Sequence, residues 1–506
     1  RPQSLDDLTI QVAIVRPGPI LGGAVNPYIA RRQRLREDPG YEVPYEHPSL
    51  EPVLRDTLGT IIFQDQVIEC AMAFAGFSPG EAEGLRRAMS RKRSAAAIEG
   101  YHRRFVEGAA RTHGVGEETA ERVYSMIVGF SGFGFPKAHG AAFGLLAYQS
   151  TWLRVHYGPE FLCALLNEQP MGFYASDTLA HEAQRRGIPM LAADVNESEV
   201  ECAVAADGSV RIGLGYVSGV RAEEVAALVA ARVQGGRFRS LADLASRAGA
   251  GRPSLEKLAW AGACDALAGV EAGAGDGDGA NRARRAALWQ LGVAAPGERV
   301  REGTQLALPL ETPPPPQLRE LAPWESMVAD YATTGLTLGK HPMALLRERL
   351  PEGAVSCRDL ETMRHEASVT IGGLVVARQR PGTAKGIVFL LLEDEFGTIN
   401  LIVPPDVYER HRLTVRTEPL ILARGRLEKL AMAGGAINVF VKRLEPLVTP
   451  GEDVAGVVEL AERRAAAAAA EAPADRAAEL ADPSEILADF RGVAPAVQSF
   501  AAGRRR

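Results

Sequence analysis

Residues 129–144 read Gly-Phe-Ser-Gly-Phe-Gly-Phe-Pro-Lys-Ala-His-Gly-Ala-Ala-Phe-Gly, a run in which glycine and phenylalanine surround one lysine and one histidine. Glycines at 129, 132 and 134 permit left-handed backbone or close approach to a ligand. Lys137 is a point charge suited to a polyphosphate, and Phe130, Phe133 and Phe135 offer faces on which a base can stack. The same letters also suit a glycine-punctuated turn between two buried helices, with the phenylalanines in the core. The flanks are helical in period. Val67, Ala71, Phe74 and Ala75 fall on one face, and Val123, Ile127 and Val128 on another. The run is therefore a turn within a helical unit that extends from Leu5 to about Asn167, entered through proline-rich loops.

At 506 residues the chain is too long for one core and implies about three or four domains. It holds no apolar run of the roughly 18 residues needed to cross a membrane. It opens on Arg1-Pro2-Gln3 with no charged-then-apolar leader, which predicts a piece of a longer cytoplasmic protein. Cys70, Cys163, Cys202, Cys264 and Cys357 stand far apart and form no Cys-x-x-Cys pair, so buried free thiols are expected rather than a zinc or redox site. A net charge of −6 does not exclude a nucleic-acid partner, because the positive charge is local. Arg86-Arg87-Ala88-Met89-Ser90-Arg91-Lys92-Arg93, followed by Arg103 and Arg104, is a natural counter-charge to phosphate, or else a solvated helix end.

Further along, a helix over Asp177–Gly187 precedes a hairpin of residues 200–204 and 210–214 turned at Asp207-Gly208. Gly215 and Gly219 then lie just ahead of a helix over Arg221–Arg232, where free backbone N–H groups can grip a phosphate without reading a base. A second helix-turn-helix is expected over Leu255–Leu267, pivoting at Gly262. The pair resembles tandem helix-hairpin-helix binders of the DNA backbone; a plain helical bundle is the alternative. Gly273–Gly279 reads as a flexible insert and Pro309–Pro316 as an extended linker, with Gln305-Leu306-Ala307-Leu308-Pro309-Leu310 between them. From Ser368 the period changes to strands, at Val369–Ala377, Ile387–Glu393, Thr398–Val403, Pro419–Leu427 and Ala436–Arg443, which suits an OB-type barrel. Arg378, Arg380, Lys385, Arg424 and Arg426 bring positive charge to it. Such a barrel binds single strands or serves as a protein-interaction module. After Pro450 the alanine-rich stretch reads as a helical or disordered tail.

These residues carry a resemblance. Arg16-Pro17-Gly18-Pro19, Gly59-Thr60-Ile61-Ile62-Phe63-Gln64-Asp65-Gln66-Val67, Leu85-Arg86-Arg87-Ala88-Met89, Phe133-Gly134-Phe135-Pro136-Lys137-Ala138-His139 and Tyr148-Gln149-Ser150-Thr151-Trp152-Leu153 occur in the order and spacing of bacterial family C DNA polymerases, the alpha subunits of DNA polymerase III. Gln169-Pro170-Met171-Gly172-Phe173-Tyr174, Thr334-Gly335-Leu336-Thr337-Leu338-Gly339-Lys340-His341-Pro342 and Arg378-Gln379-Arg380-Pro381-Gly382-Thr383-Ala384-Lys385-Gly386 look most like the error-prone branch. The resemblance covers roughly residues 3–446. Asp65, where Glu is common, and the mixed Pro136–His139 motif depart from the pattern.

The resemblance implies a multidomain α+β chain: fingers over 1–176, a hairpin with tandem helix-hairpin-helix over 177–270, an insert and linker over 271–330, a helical connector over 331–365, an OB-fold over 366–448 and a tail over 449–506. It implies a DNA-directed DNA polymerase, replicative or translesion, whose palm aspartates and Mg2+ lie outside this chain, so that the chain is inactive alone and binds no metal. Primer-template DNA and an incoming dNTP are the implied partners. Arg16, Lys137, His139, Gly132 and Gly134 are assigned to the nucleotide. Arg86, Arg87, Arg91, Lys92, Gly215, Gly219, Arg378, Arg380 and Lys385 are assigned to DNA or phosphate. Gln305, Leu306 and Leu308 resemble a sliding-clamp peptide without its usual terminal aromatic. The alternative is a non-catalytic DNA-binding, clamp-interacting scaffold.

Overall fold

The computed structural model describes residues 2–14, 25–90, 95–130, 135–172, 174–269, 278–295, 313–382, 384–430, 436–450, 490–495 and 497–500. Two compact units are formed, Arg1–Tyr157 and Gly158–Arg506.

The first unit is helical, with α1 (Leu5–Ile14), α2 (Val25–Glu37), α3 (Gln64–Ala75), α4 (Pro79–Ser90), α5 (Ala95–His113), α6 (Glu117–Phe130) and α7 (Lys137–His156). Helix α3 is the centre of its core. Val67, Cys70, Ala71, Phe74 and Ala75 are buried at helical spacing and meet Phe105 of α5 and Ile127 of α6. The expected Val67 face is therefore present. The α6 face is narrower than expected, because Val128 is 40% exposed. Gly76, with φ +66°, ends α3 in the left-handed conformation that a side chain disfavours. A second small core, of Ile10, Ala13, Tyr28, Ile62, Phe63 and Phe135, gathers where α1 approaches α7. That approach is tightest at two glycines: a Cβ on Gly140 would stand 3.0 Å from the Phe135 ring and 3.2 Å from Thr9 Cγ2, and one on Gly144 would stand 3.2 Å from Thr9 N.

The second unit begins with α8 (Gly158–Asn167) and α9 (Ser176–Arg185). A small sheet follows, with β1 (Met190–Leu191) parallel to β3 (Val210–Arg211) and β2 (Ala203–Val204) antiparallel to it. The expected hairpin is present but shorter, and Gly208 at its turn has φ +82°. Helices α10 (Ala222–Gly235), α11 (Leu241–Arg247) and α12 (Arg252–Trp260) then pack into one core with α13 (Asp278–Ala294). Two expectations are corrected. The second helix-turn-helix is not contained in Leu255–Leu267, since α12 is followed there only by a turn and a short 3-10 segment at Asp265–Leu267. Its partner is α13, which lies in the stretch expected to be insert and linker and buries Ala283, Ala286, Ala287 and Leu291. The Gly/Asp-rich approach to α13 conceals a helix whose apolar positions, every three or four residues, need a core to face.

Helices α14 (Pro323–Thr334) and α15 (Pro342–Leu346) and the short α16 (Cys357–Thr362) lead into the barrel of β4 (Ser368–Gln379), β5 (Val388–Asp394), β6 (Gly397–Val403), β7 (Leu420–Leu430) and β8 (Ala436–Pro446). The order β5-β6-β8-β7-β4 closes through a β4–β5 pairing, giving a five-stranded barrel in which only β6 and β8 run parallel. A bulge between Val375 and Ala377 lets β4 pair first with β7 and then with β5. Gly373 permits that crossing, since a Cβ there would lie 2.4 Å from Leu392 Cγ. The chain returns after the tail: Phe490 is buried against Trp324, Tyr331, Leu374 and Leu420, and β9 (Gln498–Phe500) pairs parallel with Ala377–Gln379 of β4. The tail expected after residue 449 otherwise lies outside the described residues.

Candidate nucleotide and nucleic-acid interface

In the first unit the loop before α3 is fixed by one buried side chain. Gln66 Oε1 accepts the N–H groups of Ile62 at 2.9 Å and Phe63 at 3.0 Å, while Nε2 donates to Thr57 Oγ1 at 2.8 Å and Val53 O at 3.3 Å. This holds Phe63 beside Phe135 as a parallel bridge, with Gln64 N donating to Phe135 O at 3.0 Å. The first turn of α7 is thereby set against the first turn of α3. Lys137 N donates to Asp65 Oδ2 at 2.8 Å, and Lys137 Nζ lies 3.4 Å from Asp56 Oδ2 with both side chains about half exposed. A carboxylate at a helix N-terminus is favoured by the helix dipole and the unsatisfied N–H groups there. Asp65 thus occupies a position that suits an anion.

His139 is exposed and stands between the rings of Phe135, at 5.2 Å, and Phe143, at 4.6 Å. Phe135, expected as a stacking face, is 2% exposed and belongs to the small core; the accessible ring is that of Phe143. Tyr148 and Trp152, further along α7, are also exposed. Arg16, Gly132, Gly134 and Phe133 lie outside the described residues, as do Arg91 and Lys92. Arg86 and Arg87 both engage Glu83: Arg86 Nε and Nη2 lie 2.7 and 2.8 Å from its oxygens, and Arg87 Nε lies at 2.7 Å. Hydrogen bonding from Arg86 above all, outweighing the opposing desolvation, holds the Glu83 carboxyl down to about 2. One carboxylate of α4 thus meets part of the charge of Arg86 and Arg87.

In the second unit, the two glycines expected to grip phosphate differ in kind. Gly215 N donates to Val200 O at 2.9 Å, and a Cβ there would lie 2.8 Å from the same oxygen, so this glycine serves close packing of backbone. Gly219, with φ +76°, sits exposed ahead of α10, and its carbonyl accepts Lys257 Nζ at 3.1 Å. Arg221 stands at the N-cap position of the same helix, its guanidinium 2.7 Å from Glu224 Oε1. Gly219, Arg221 and Lys257 therefore meet at one solvent-facing helix end, where Glu224 neutralises Arg221 and Lys257 is held by a carbonyl alone. Lys257 lies on the other helix of the pair, and nothing in its sequence neighbourhood singles it out.

On the barrel, Arg378 Nη2 donates to Glu418 O at 2.7 Å, so this half-buried guanidinium serves the fold. Arg380 lies over the Tyr408 ring at 4.6 Å and stays exposed, as does Lys385, which turns the β4–β5 connection with φ +49°. Gln305, Leu306 and Leu308 lie outside the described residues. No described helix is long and apolar enough to cross a membrane.

Three family models match separate parts of the chain: the bacterial DNA polymerase III alpha subunit finger domain over residues 1–113, a helix-hairpin-helix motif over 187–273 and an OB-fold nucleic acid binding domain over 369–447. An error-prone DNA polymerase of Anaeromyxobacter sp. (strain K) is 42% identical over 462 residues, covering 88% of this chain and 38% of that protein. Error-prone DNA polymerases of Corynebacterium efficiens and Burkholderia pseudomallei are each 40% identical, over 88% of this chain and 39% and 41% of their own lengths. The chain spans about two fifths of the curated relatives it matches. Among solved structures, asparaginyl-tRNA synthetase from Pyrococcus horikoshii is 21% identical over 20% of this chain and 24% of its own, with a TM-score of 0.17, too slight a likeness to argue from. Fingers, helix-hairpin-helix and OB-fold models thus match in that order, and over 88% of its length the chain is similar, at 40–42% identity, to error-prone DNA polymerases.

Proposed function

We propose that this chain supplies the nucleotide- and template-handling part of a template-directed, error-prone DNA polymerase of the bacterial cytoplasm. The observation that carries the reading is the arrangement at the head of α7, where Lys137 and His139 stand exposed on the first turn of a 20-residue helix beside Phe143. An incoming triphosphate would take the place of Asp56 at the Lys137 ammonium and of Asp65 at the helix end. Binding then exchanges one anion for another. Positive charge there stabilises the pyrophosphate as it departs. Arg16, Gly132 and Gly134 belong to the same pocket in this reading.

Nucleotidyl transfer also needs two divalent ions held by converging carboxylates. Among the described residues of the first unit no group of three or more acidic, histidine or cysteine side chains converges in that way, and Asp56 and Asp65 already face Lys137. The described residues of this unit do not fit Mg2+, and no step of the reaction is assigned to them through it. Duplex backbone is held at Gly219, Arg221 and Lys257, and single-stranded template at Arg380 and Lys385. The Gln305–Leu310 peptide is the site for a sliding clamp, with loss of clamp pulldown in a Gln305→Ala, Leu308→Ala variant as its check.

The test is equilibrium binding of a deoxynucleoside triphosphate and of primer-template DNA to the full chain. Lys137→Ala is expected to weaken triphosphate binding about tenfold, the loss of one charge-assisted contact, and Asp56→Asn to strengthen it. Lys257→Ala should leave triphosphate binding alone and lower the salt dependence of DNA binding by about one phosphate contact. Triphosphate affinity indifferent to both Lys137 and Asp56 would remove this assignment.

A further inference from the structure

In the second unit three side chains from distant parts of the sequence meet in a buried cluster away from the helix end at Gly219 and the barrel cations. His181 on α9, His341 at the head of α15 and Glu393 in β5 are 3%, 7% and 0% exposed. One ligand-type atom from each lies within 4.8 Å of the others. Both ring nitrogens of His181, Nε2 of His341 and Oε2 of Glu393 lack a hydrogen-bond partner at normal distance. Buried polar groups left in that state are costly and point to an occupant or a proton.

A metal ion fits the spacing but not the tautomer. His341 Nδ1 accepts the Met343 N–H at 3.0 Å, capping α15, so its Nε2 carries the ring proton and offers no lone pair. Burial, then neighbouring His181, pushes the His341 pKa well below the usual imidazole value, and that ring stays neutral. His181 differs. Its Nε2 lies 3.6 Å from Asp177 Oδ1 and its Nδ1 3.5 Å from Glu393 Oε2, so each ring nitrogen faces a carboxylate. A neutral imidazole can donate from one nitrogen only, and an imidazolium donates from both. Asp177 already accepts the Tyr331 hydroxyl at 3.0 Å and Thr337 N at 3.3 Å; burial pushes its carboxyl up to about 6, so it is ionised above that pH. Glu393 Oε1 lies 2.8 Å from Arg185 Nη1.

The charges around His181 favour the same state. Asp177 and Arg185 face it from α9, Glu393 from β5, His341 from α15 and Tyr331 from α14. Arg347 pairs with Asp394 and Glu395, and Arg358 lies over the Phe396 ring. Two carboxylates against one committed guanidinium leave one negative charge buried, which a protonated His181 cancels. Burial pulls the His181 pKa down, yet Asp177 and Glu393 outweigh it and the net direction is upward.

We propose that His181 is a proton-operated latch: as an imidazolium it ties Asp177 of α9 to Glu393 of β5, clamping the barrel onto the helical region before it, and as a neutral ring it lets that contact open. A group whose folded pKa exceeds its unfolded value, here 6.5, stabilises fully below that value and loses its contribution as pH rises through the folded pKa. The latch is therefore closed from about pH 6, where Asp177 ionises, up to the folded pKa of the ring, and loosens as pH rises through it. His341, shifted the other way, acts in the opposite sense and is separable by sign.

The test uses the full chain with ring-labelled histidine, whose nine residues give countable signals. One signal, missing in His181→Gln, should remain imidazolium at pH 7. Hydrogen exchange in β5 and α9, corrected for intrinsic rates, should lose protection by up to about tenfold per pH unit between 6.5 and that ring's pKa in the native chain. In His181→Gln this slope should vanish. A neutral His181 ring at pH 6, an equal slope in the variant, or stoichiometric Zn2+ that survives desalting and requires His181 would each overturn the latch.

Discussion

The backbone N–H of Lys137 and the carboxylate of Asp65 meet at 2.8 Å, joining the first turn of α7 to the first turn of α3 across 72 positions of sequence. One carboxylate therefore serves two helix ends: it lies in the acidic first turn of its own helix and caps the N-terminus of another. Asp65→Ala is expected to cost about 1 kcal/mol, seen as a lower urea midpoint with unchanged slope, and Asp65→Glu to recover part of it. Equal midpoints for wild type and Asp65→Ala would show that the cap contributes nothing.

A side chain on Gly140 would press on Thr9 and Phe135, its Cβ already 3.0–3.3 Å from their atoms. Gly140→Val should push α1 from α7 and destabilise by about 1–3 kcal/mol, the usual cost of overpacking. Exchange of the amides of Leu5–Ile14 should accelerate while those of α3 and α5 stay protected. Uniform acceleration across the unit would mean that the α1 contact is not local.

Glu224 of α10 accepts Gly251 N at 3.0 Å, Arg221 Nη2 at 2.7 Å and the Ser254 hydroxyl, and so caps α12 from its neighbour. Hydrogen bonding from Arg221, ahead of the opposing desolvation, then Ser254 and Gly251, holds its carboxyl down to about 2. A depressed carboxyl stabilises above its ordinary 4.5, and that stability is lost as pH falls toward 2. Acid melts of the native chain should show this loss between pH 4.5 and 2, and Glu224→Gln should show a flatter profile over that range.

Phe490 is 1% exposed and packs on Trp324 and Tyr331 at ring separations of 5.5 Å. Phe490→Ala should cost about 3–5 kcal/mol and expose Gln498–Phe500 to exchange, with the five-stranded barrel intact. Retained protection in β9 would show that the strand docks without the ring.

Much of the fold is legible in the chain itself. Alternating apolar residues, broken by turn formers, place the first three barrel strands to within two residues at each end and stop three residues short of the ends of β7 and β8, because each strand buries one face. Asp207-Gly208 marks its turn for the same local reason. Helix α13 is not legible, since Gly273–Gly279 shares its composition with a linker and the residues beyond it become a helix only against the waiting core. Phe135 and Gly215 mislead for a related reason: a phenylalanine or glycine beside a lysine or a helix start suits a ligand and a tight packing contact equally. Lys257 and the His181 cluster escape entirely, for Arg185 and Glu393 meet from 208 positions apart and no local pattern records such a meeting.

Helix α7 has a practical consequence. Beyond its glycine stripe it presents Phe143, Leu146, Tyr148, Trp152 and Val155 to solvent, each more than two fifths exposed. Exposed apolar side chains of this size make a protein adhesive. The modest charge of −6 offers weak colloidal repulsion against them. Concentration, ionic strength and the choice of surface in any binding assay will act on those side chains as directly as on the DNA.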